Sequence, residues 1–175
     1  MKRALYFLAG VALLASCKNG GKSTPGATAD TSKMPYKASY SSSFAISDST
    51  SFERKVLQSY KDWEDNNLKN APAYFADTNA MDFPDGSKIK LKLDSAVHYF
   101  QKYRDSLASS KIDMISVINV HSTDKNDDWV LTWYKQTNTY KTGGKIDSAF
   151  YNDVNHIKNG KIDYVTSFRQ ELKKK

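Results

Sequence analysis

An amphipathic helix over residues 52–66 is the first folded element that the pattern of hydrophobic positions predicts. Apolar side chains recur there at spacings of four, four and three, which places them on one face of a helix. They are Phe52, Val56, Tyr60 and Trp63. The segment begins with a capping box from Thr50 to Glu53, in which the glutamate reaches back to the first amide of the helix.

Two more helices are predicted before the chain turns to strands. Residues 68–75 have the pattern of a short helix, entered through two asparagines and Pro72. Asp94 can cap a third helix, because aspartate accepts hydrogen bonds from the first amides of a helix. The apolar face of this third helix is predicted to carry Val97, Phe100, Tyr103 or Arg104, and Leu107.

The strand pattern predicts a hairpin and then a run of long antiparallel strands. Residues 80–83 and 88–91 flank the turn residues Pro84-Asp85-Gly86. The long strands are predicted over residues 112–122, 129–141, 146–158 and 161–170. Asn159-Gly160 joins the last two and is a strong signal for a two-residue hairpin turn. Helices followed by such a meander predict an α+β fold.

The N-terminus has the pattern of an export signal. Lys2 and Arg3 precede an apolar run over residues 5–14, which is shorter than the roughly 20 residues of a membrane span. This pattern is typical of a secretory signal peptide. It ends in Leu14-Ala15-Ser16-Cys17, which matches the bacterial lipobox, where the cysteine becomes the lipidated first residue. The alternative is a plain signal peptide followed by a chance cysteine.

These features predict where in the cell the protein is located and how the chain divides into segments. Residue 18 is lysine and not the aspartate of inner-membrane retention, so we expect a lipid anchor on the periplasmic face of the outer membrane of a Gram-negative bacterium. The predicted segments follow in chain order. They are a signal peptide (1–16), a Gly- and Ser-rich flexible tether (17–33), an extended segment that packs on the domain (34–49), the folded domain (50–170) and a basic tail (171–175).

Composition adds limits on the class of protein. With 39% hydrophobic and 13% aromatic residues, most of the chain can bury a core, which excludes a coiled coil or a wholly disordered chain. The net charge of +7 includes five basic residues at the two ends, so it does not describe the domain surface. One cysteine forms no internal disulfide. The export signal excludes nucleic acid as a partner.

The order of the elements resembles the nuclear transport factor 2 (NTF2) superfamily, in particular its SnoaL-like and ketosteroid-isomerase-like branches. The likeness covers about residues 50–170 and is carried by three motifs. They are Tyr74-Phe75-Ala76-Asp77, Met81-Asp82-Phe83-Pro84-Asp85-Gly86 and Asn155-His156-Ile157-Lys158-Asn159-Gly160-Lys161-Ile162. The resemblance implies a cone-shaped domain, in which a curved sheet wraps three helices around a pocket. It also implies a homodimer through the outer face of the sheet.

The isomerase branch can be compared position by position. The resemblance places Phe83 where that branch has its general base, and an apolar ring cannot abstract a proton. It places Asn155 at the position of the oxyanion acid and Tyr60 near that of the conserved tyrosine. One donor is therefore retained, one is replaced and the base is lost.

The alternation of side chains between the two faces of a strand predicts further pocket residues. In the strand 146–158, Tyr151, Asp153 and Asn155 share one face. If Asn155 faces the pocket, so do the other two; the alternative is a row that faces solvent or a dimer partner. His121 shares a strand face with Asn119, Val117 and Ile115 and is expected to turn a polar tip toward the pocket; the alternative is a histidine on the surface or the pocket rim.

We expect neither a metal nor another cofactor. The three histidines, His98, His121 and His156, lie on different elements without the spacing of metal ligands. The tryptophans Trp63, Trp129 and Trp133 are expected in the core or in a dimer contact.

Two functions remain open. The first is a non-catalytic, membrane-tethered module that binds a small apolar or amphipathic ligand, or a protein partner. The second is a SnoaL-type enzyme that acts by acid/base chemistry on a hydrophobic ring substrate. In the enzyme, Asp153 or His121 would be the base and Tyr60 or Asn155 the donor. We expect the first, because the base position holds Phe83.

Overall fold

The computed structural model describes residues 35–47 and 50–172. The predicted signal peptide, the predicted lipidation site Cys17 and the predicted tether lie outside the described residues. Two α-helices and one 3₁₀ helix are present: α1 (Thr50–Glu64), the 3₁₀ helix (Leu68–Ala73) and α2 (Leu93–Asp105). The strands are β1 (Phe44–Ile46), β2 (Phe75–Asp82), β3 (Lys88–Lys92), β4 (Leu107–Ser122), β5 (Asp127–Tyr140), β6 (Ile146–Lys158) and β7 (Lys161–Glu171).

All seven strands form one sheet in the order β1-β4-β5-β6-β7-β2-β3. Neighbouring strands are antiparallel except β2 and β7, which run parallel. The turn between β6 and β7 is the predicted Asn159-Gly160 pair, with φ values of 52° and 74°. Both residues of a type I′ turn need positive φ, which asparagine and glycine adopt at low cost.

The core lies between α1 and the inner face of the sheet. Val56 of α1 is fully buried against Val130, Ile157, Ile162 and Val165. Phe52 and Tyr60 pack against this cluster from the same helix face, as their spacing predicts. The core therefore fixes the helix that carries Tyr60 over the middle of the sheet.

The sheet takes up residues that the sequence placed outside it: β2 begins at Phe75 and not at residue 80, and β4 begins at Leu107 and not at residue 112. Two predicted helix ends are wrong for the same reason. The predicted helix over 68–75 ends at Ala73, because Tyr74 accepts a backbone hydrogen bond from Ile162 (2.8 Å) and Phe75 pairs with Ile162 in the sheet. The third helix ends at Asp105 and not at Leu107. Leu107 instead begins β4 and is buried.

The glutamate of the predicted capping box contacts the sheet. Glu53 accepts a hydrogen bond from the backbone amide of Asn119 on β4, with an N–Oε1 distance of 3.0 Å. The glutamate therefore ties the first turn of α1 to the sheet.

The segment before α1 packs along the edge of the sheet. Phe44–Ile46 pairs with Val120, His121 and Ser122 of β4. The Tyr40 hydroxyl donates to Asp127 at 2.5 Å, and the amide of Thr123 donates to the carbonyl of Ser43 at 2.8 Å. This segment thus joins the end of the sheet where β4 turns into β5.

Arg104 holds the end of α1 against α2. Its side chain is buried and donates to the backbone carbonyls of Trp63 and Glu64, each at 2.7 Å. A guanidinium at this place satisfies carbonyls that a helix leaves unpaired in its last turn. The contact fixes Trp63, which lines the cavity described below.

Within the described residues, no helix has both the length and the apolar character needed to cross a membrane.

Candidate functional site

A cavity of about 840 Å³ lies between α1, α2, the β2–β3 hairpin and the inner face of the sheet. Its size falls within the range of pockets that bind small molecules, roughly 300–1,000 Å³. Apolar side chains surround the outer part, and polar side chains from α1 and the long strands form the floor. This division suits a ligand with one apolar and one polar end.

The apolar wall is built largely from aromatic rings. Phe83 lies 6.3 Å from Phe100, and Tyr99 meets Phe100 edge-on at 5.2 Å between ring centroids. Trp63 stacks on Tyr103 at 6.0 Å. Because α2 carries Tyr99, Phe100 and Tyr103, this helix forms one side of the wall. Such rings prefer these offset and edge-on contacts and leave flat surfaces for a ligand.

The floor is organised around the carboxylate of Asp153, which is only 5% exposed. Its Oδ2 accepts hydrogen bonds from the hydroxyls of Tyr60 (2.9 Å) and Tyr134 (2.8 Å). Its Oδ1 accepts from Ser167 at 2.6 Å. The Tyr60 oxygen also lies 2.9 Å from the hydroxyl of Thr132. The carboxylate is therefore held by hydroxyls from α1, β5 and β7.

The pairing register of β5, β6 and β7 explains why the hydroxyls of the floor lie next to Asp153. Asp153 of β6 lies opposite Thr132 of β5 and Ser167 of β7. Tyr134 lies two residues beyond Thr132 and so shares its face. The alternation along β6 also turns Tyr151 and Asn155 to the cavity, and Asn155 donates to the carbonyl of Val130 at 3.1 Å.

Burial controls the protonation of this cluster. Desolvation raises the pKa of Asp153, and the hydrogen bonds from Ser167, Tyr134 and Tyr60 oppose that rise. Desolvation, followed by the charge of Asp153, raises the pKa of Tyr60 and Tyr134 well above the ordinary value. Both phenols therefore keep their protons and act as donors to the carboxylate.

Two further polar groups border the cavity. Buried Asp62 accepts a hydrogen bond from the hydroxyl of Tyr74 at 2.7 Å, and this bond is the main cause that raises the pKa of Tyr74 to about 12. On β7, Arg169 donates to Asp147 (2.8 Å), Glu171 (2.7 Å) and the hydroxyl of Tyr151 (3.2 Å).

The structure brings together most of the residues proposed from the sequence. Tyr60, Phe83, Tyr151, Asp153 and Asn155 all line the cavity. Tyr60 and Asp153 are in direct contact, whereas Phe83 belongs to the apolar wall.

His121 lies outside the cavity, which corrects the expectation that it faces the pocket. A bulge between Met114 and Ser116 separates Ile115 from the predicted face, and Ile115 is exposed. His121 keeps the face of Val117, but it pairs with Asp128, at the far end of β5 from the positions of β5 that line the cavity. His121 instead lies at the end of β4, with Nδ1 3.0 Å from Asp128 Oδ1.

Several site residues were not proposed from the sequence, and three of them lie on β5 and β7. Tyr134, Ser167 and Arg169 contact the proposed residues only across neighbouring strands. Alternation along β5 and β7 groups each of them with inward positions, such as Val130 and Val165. The register of the two hairpins is needed to place them beside Asp153 and Tyr151.

In the described part of the chain, no group of three or more His, Cys, Asp or Glu side chains could hold a metal ion.

Replacing Asp153 by alanine is expected to lower the free energy of unfolding by about 3 kcal/mol, because three buried hydroxyls lose their acceptor. Asp153→Asn keeps one acceptor oxygen and should lose less. Asp113→Ala is the matched control, since its carboxylate is half exposed and paired only with Lys111. Chemical denaturation measures all three variants. A loss for Asp153→Ala no larger than that of the control would contradict the role of the carboxylate.

Comparison with known proteins finds relatives by structure alone. No protein-family model matches the chain, and no curated protein matches it by sequence. A candidate SnoaL-like polyketide cyclase from Jannaschia superposes with a TM-score of 0.57 at 10% identity, over 69% of this chain and 86% of that chain. An LEH-like epoxide hydrolase from M. tuberculosis gives 0.59 at 11% identity, over 71% and 86% of the two chains.

A third neighbour is an NTF2-like protein of unknown function from Burkholderia pseudomallei. It superposes with a TM-score of 0.57 at 14% identity, over 70% of this chain and 92% of that chain. These likenesses concern the fold and confirm the predicted fold class. The chain has the α+β NTF2-like fold, with three helices and one seven-stranded, mostly antiparallel sheet.

Proposed function

We propose that the protein is a non-catalytic module that binds a small amphipathic ligand in this cavity. The observation that carries the proposal is the state of Asp153, which is buried and already accepts three hydroxyl hydrogen bonds. A group held in this way is a fixed polar anchor. The aromatic wall above it supplies the apolar contact area that a ligand of this size requires.

One observation favours the alternative, an acid/base enzyme. Burial raises the pKa of Asp153, which is a common property of catalytic carboxylates. However, the hydrogen bonds from Ser167, Tyr134 and Tyr60 oppose that rise, because they stabilise the ionised carboxylate and so weaken it as a proton acceptor. Phe83 holds no proton acceptor, and His121 lies outside the cavity. Fold neighbours described as enzymes do not decide the matter, because this fold serves many functions.

Binding can be tested with the neutral fluorescent probe N-phenylnaphthylamine and the purified full-length protein. We expect its fluorescence to rise on saturable binding. Phe83→Asp places a charge in the apolar wall and should weaken the affinity about tenfold or more.

The matched control is Phe44→Asp, whose ring lies on the edge strand β1, outside the cavity, and is 46% exposed. It should leave the affinity unchanged. Thermal unfolding checks that both variants fold. Equal losses in the two variants, or no saturable binding to the wild type, would refute the proposed site.

We further propose that Cys17 carries the lipid anchor that holds the protein on the periplasmic face of the outer membrane. Support comes from the charged start, the short apolar run and the position of the only cysteine directly after Ala15-Ser16. Thioether-linked diacylglycerol together with an N-acyl chain would give stable attachment, unlike a single acyl chain.

The anchor predicts that Cys17→Ser accumulates as an unprocessed precursor and leaves the membrane fraction. Lys18→Asp is a companion variant that keeps the cysteine. It should still be processed but move from the outer to the inner membrane. Fractionation and gel migration measure both effects. A Cys17→Ser variant that migrates and fractionates like the wild type would rule out lipidation.

We also propose that two copies associate through the outer face of the sheet. Trp133, Asn152 and Phe168 lie in register across β5, β6 and β7. Trp133 is 37% exposed and Phe168 is 58% exposed. With Phe150 they form an aromatic patch on three adjacent strands. Large exposed apolar patches mark interaction sites, and a two-fold axis lets one such patch cover its own copy.

Sedimentation at micromolar concentration should show a dimer that Phe168→Lys converts to a monomer, because a buried lysine at the centre of the contact remains unpaired. The control is Tyr99→Lys, which changes an exposed ring on α2, away from the patch. A wild-type protein that is monomeric throughout excludes this contact. The face would then be open to a different protein partner.

A further inference from the structure

The cavity lining has an excess of acidic side chains. Among the described residues, it contains four acidic side chains and one basic side chain. They are Asp62, Asp85, Asp153 and Glu171, with Arg169 as the base. The cavity therefore carries a net negative charge when its carboxylates are ionised.

Arg169 does little to offset this charge, because its guanidinium is already paired with two carboxylates. It donates to the carboxylates of Asp147 and Glu171 at 2.8 and 2.7 Å. Its third contact is with the Tyr151 hydroxyl, which accepts from Nε and keeps its own proton for donation. An anionic ligand group would have to displace these carboxylates to reach the guanidinium.

The direction of the hydrogen bonds at the cavity floor also favours a ligand that donates hydrogen bonds. The hydroxyl protons of Tyr60, Tyr134 and Ser167 all point to Asp153. A hydroxyl that has given its proton away presents only lone pairs to other partners. Asp153 Oδ1 keeps room for a second donor beside Ser167, since a carboxylate oxygen can accept two hydrogen bonds.

An unpaired acceptor on β2 also favours a ligand that donates hydrogen bonds. Asn79 borders the cavity, and its side-chain nitrogen donates to the carbonyl of Ala76 at 2.6 Å. Its Oδ1 is buried and has no hydrogen-bond partner in the described structure. Most buried polar atoms are paired, so an acceptor left in this state is best completed by a donor.

We infer that the ligand is an alkylamine with an aromatic or aliphatic body, whose protonated nitrogen binds at the Asp153 floor while the apolar body packs against the wall of Phe83, Phe100 and Tyr103. The inference rests on the proposed binding function and names the ligand class for the same cavity. An ammonium group supplies up to three donors and no acceptor, which matches a floor of lone pairs. Attraction between opposite charges is strong where water is excluded.

The test compares three probes that share one ring system and differ in the head: naphthylethylamine, naphthylethanol and naphthylacetate. Calorimetric titration of the purified full-length protein at neutral pH gives the three dissociation constants. We expect the amine to bind about tenfold or more tightly than the acid, with the alcohol between them. In Asp153→Asn the three affinities should become nearly equal, because the fixed charge is gone while the side-chain shape is kept.

Two controls locate the effect. Asp113→Asn removes a carboxylate outside the cavity and should preserve the preference for the amine. Asp62→Asn removes the other buried carboxylate of the lining. If the preference survives in Asp153→Asn and disappears in Asp62→Asn, the assignment to Asp153 is wrong.

The outcomes separate this inference from the proposed function. If the acid binds as tightly as the amine, the amine inference is overturned while binding in the cavity stands. If none of the three probes binds, the proposed binding function fails and the inference fails with it.

Discussion

A single buried carboxylate is the constraint on which the centre of this structure depends. Asp153 lies on β6, and its hydrogen-bond donors come from α1, β5 and β7. Burying a charge is costly unless enough donors satisfy it, so helix and strands must be placed within hydrogen-bond distance at the same time. The same requirement leaves the floor of the cavity rigid and polar, while the wall formed by α2 needs only apolar contacts.

Much of the fold follows from short-range patterns in the sequence. The spacing of Phe52, Val56 and Tyr60 is enough to predict α1 and the face that it buries. The Asn159-Gly160 turn predicts the last hairpin, because few residue pairs accept positive φ twice in succession. Alternation along β6 then groups Tyr151, Asp153 and Asn155, although it does not say which face of the sheet is covered.

The rest depends on contacts between distant parts of the chain. Tyr134 and Ser167 reach Asp153 only through the register of two hairpins, which alternation within one strand does not determine. The parallel pairing of β2 with β7 draws Phe75 out of a helical pattern. His121 keeps the face of Val117 but lies at the opposite end of β4 from Ile112, where the cavity borders this strand, and alternation does not say how far along a strand a cavity extends.

The position of β1 has a consequence for how the domain would be presented on a surface. Ile46 pairs with Val120 near one end of β4, whereas the cavity borders β4 at Ile112. Eight residues of strand separate these points, a distance of roughly 26 Å at 3.3 Å per residue. A domain held through the chain that precedes β1 would keep its cavity away from the point of attachment. Ligand could then enter and leave from the surrounding solution while the protein stays fixed in place.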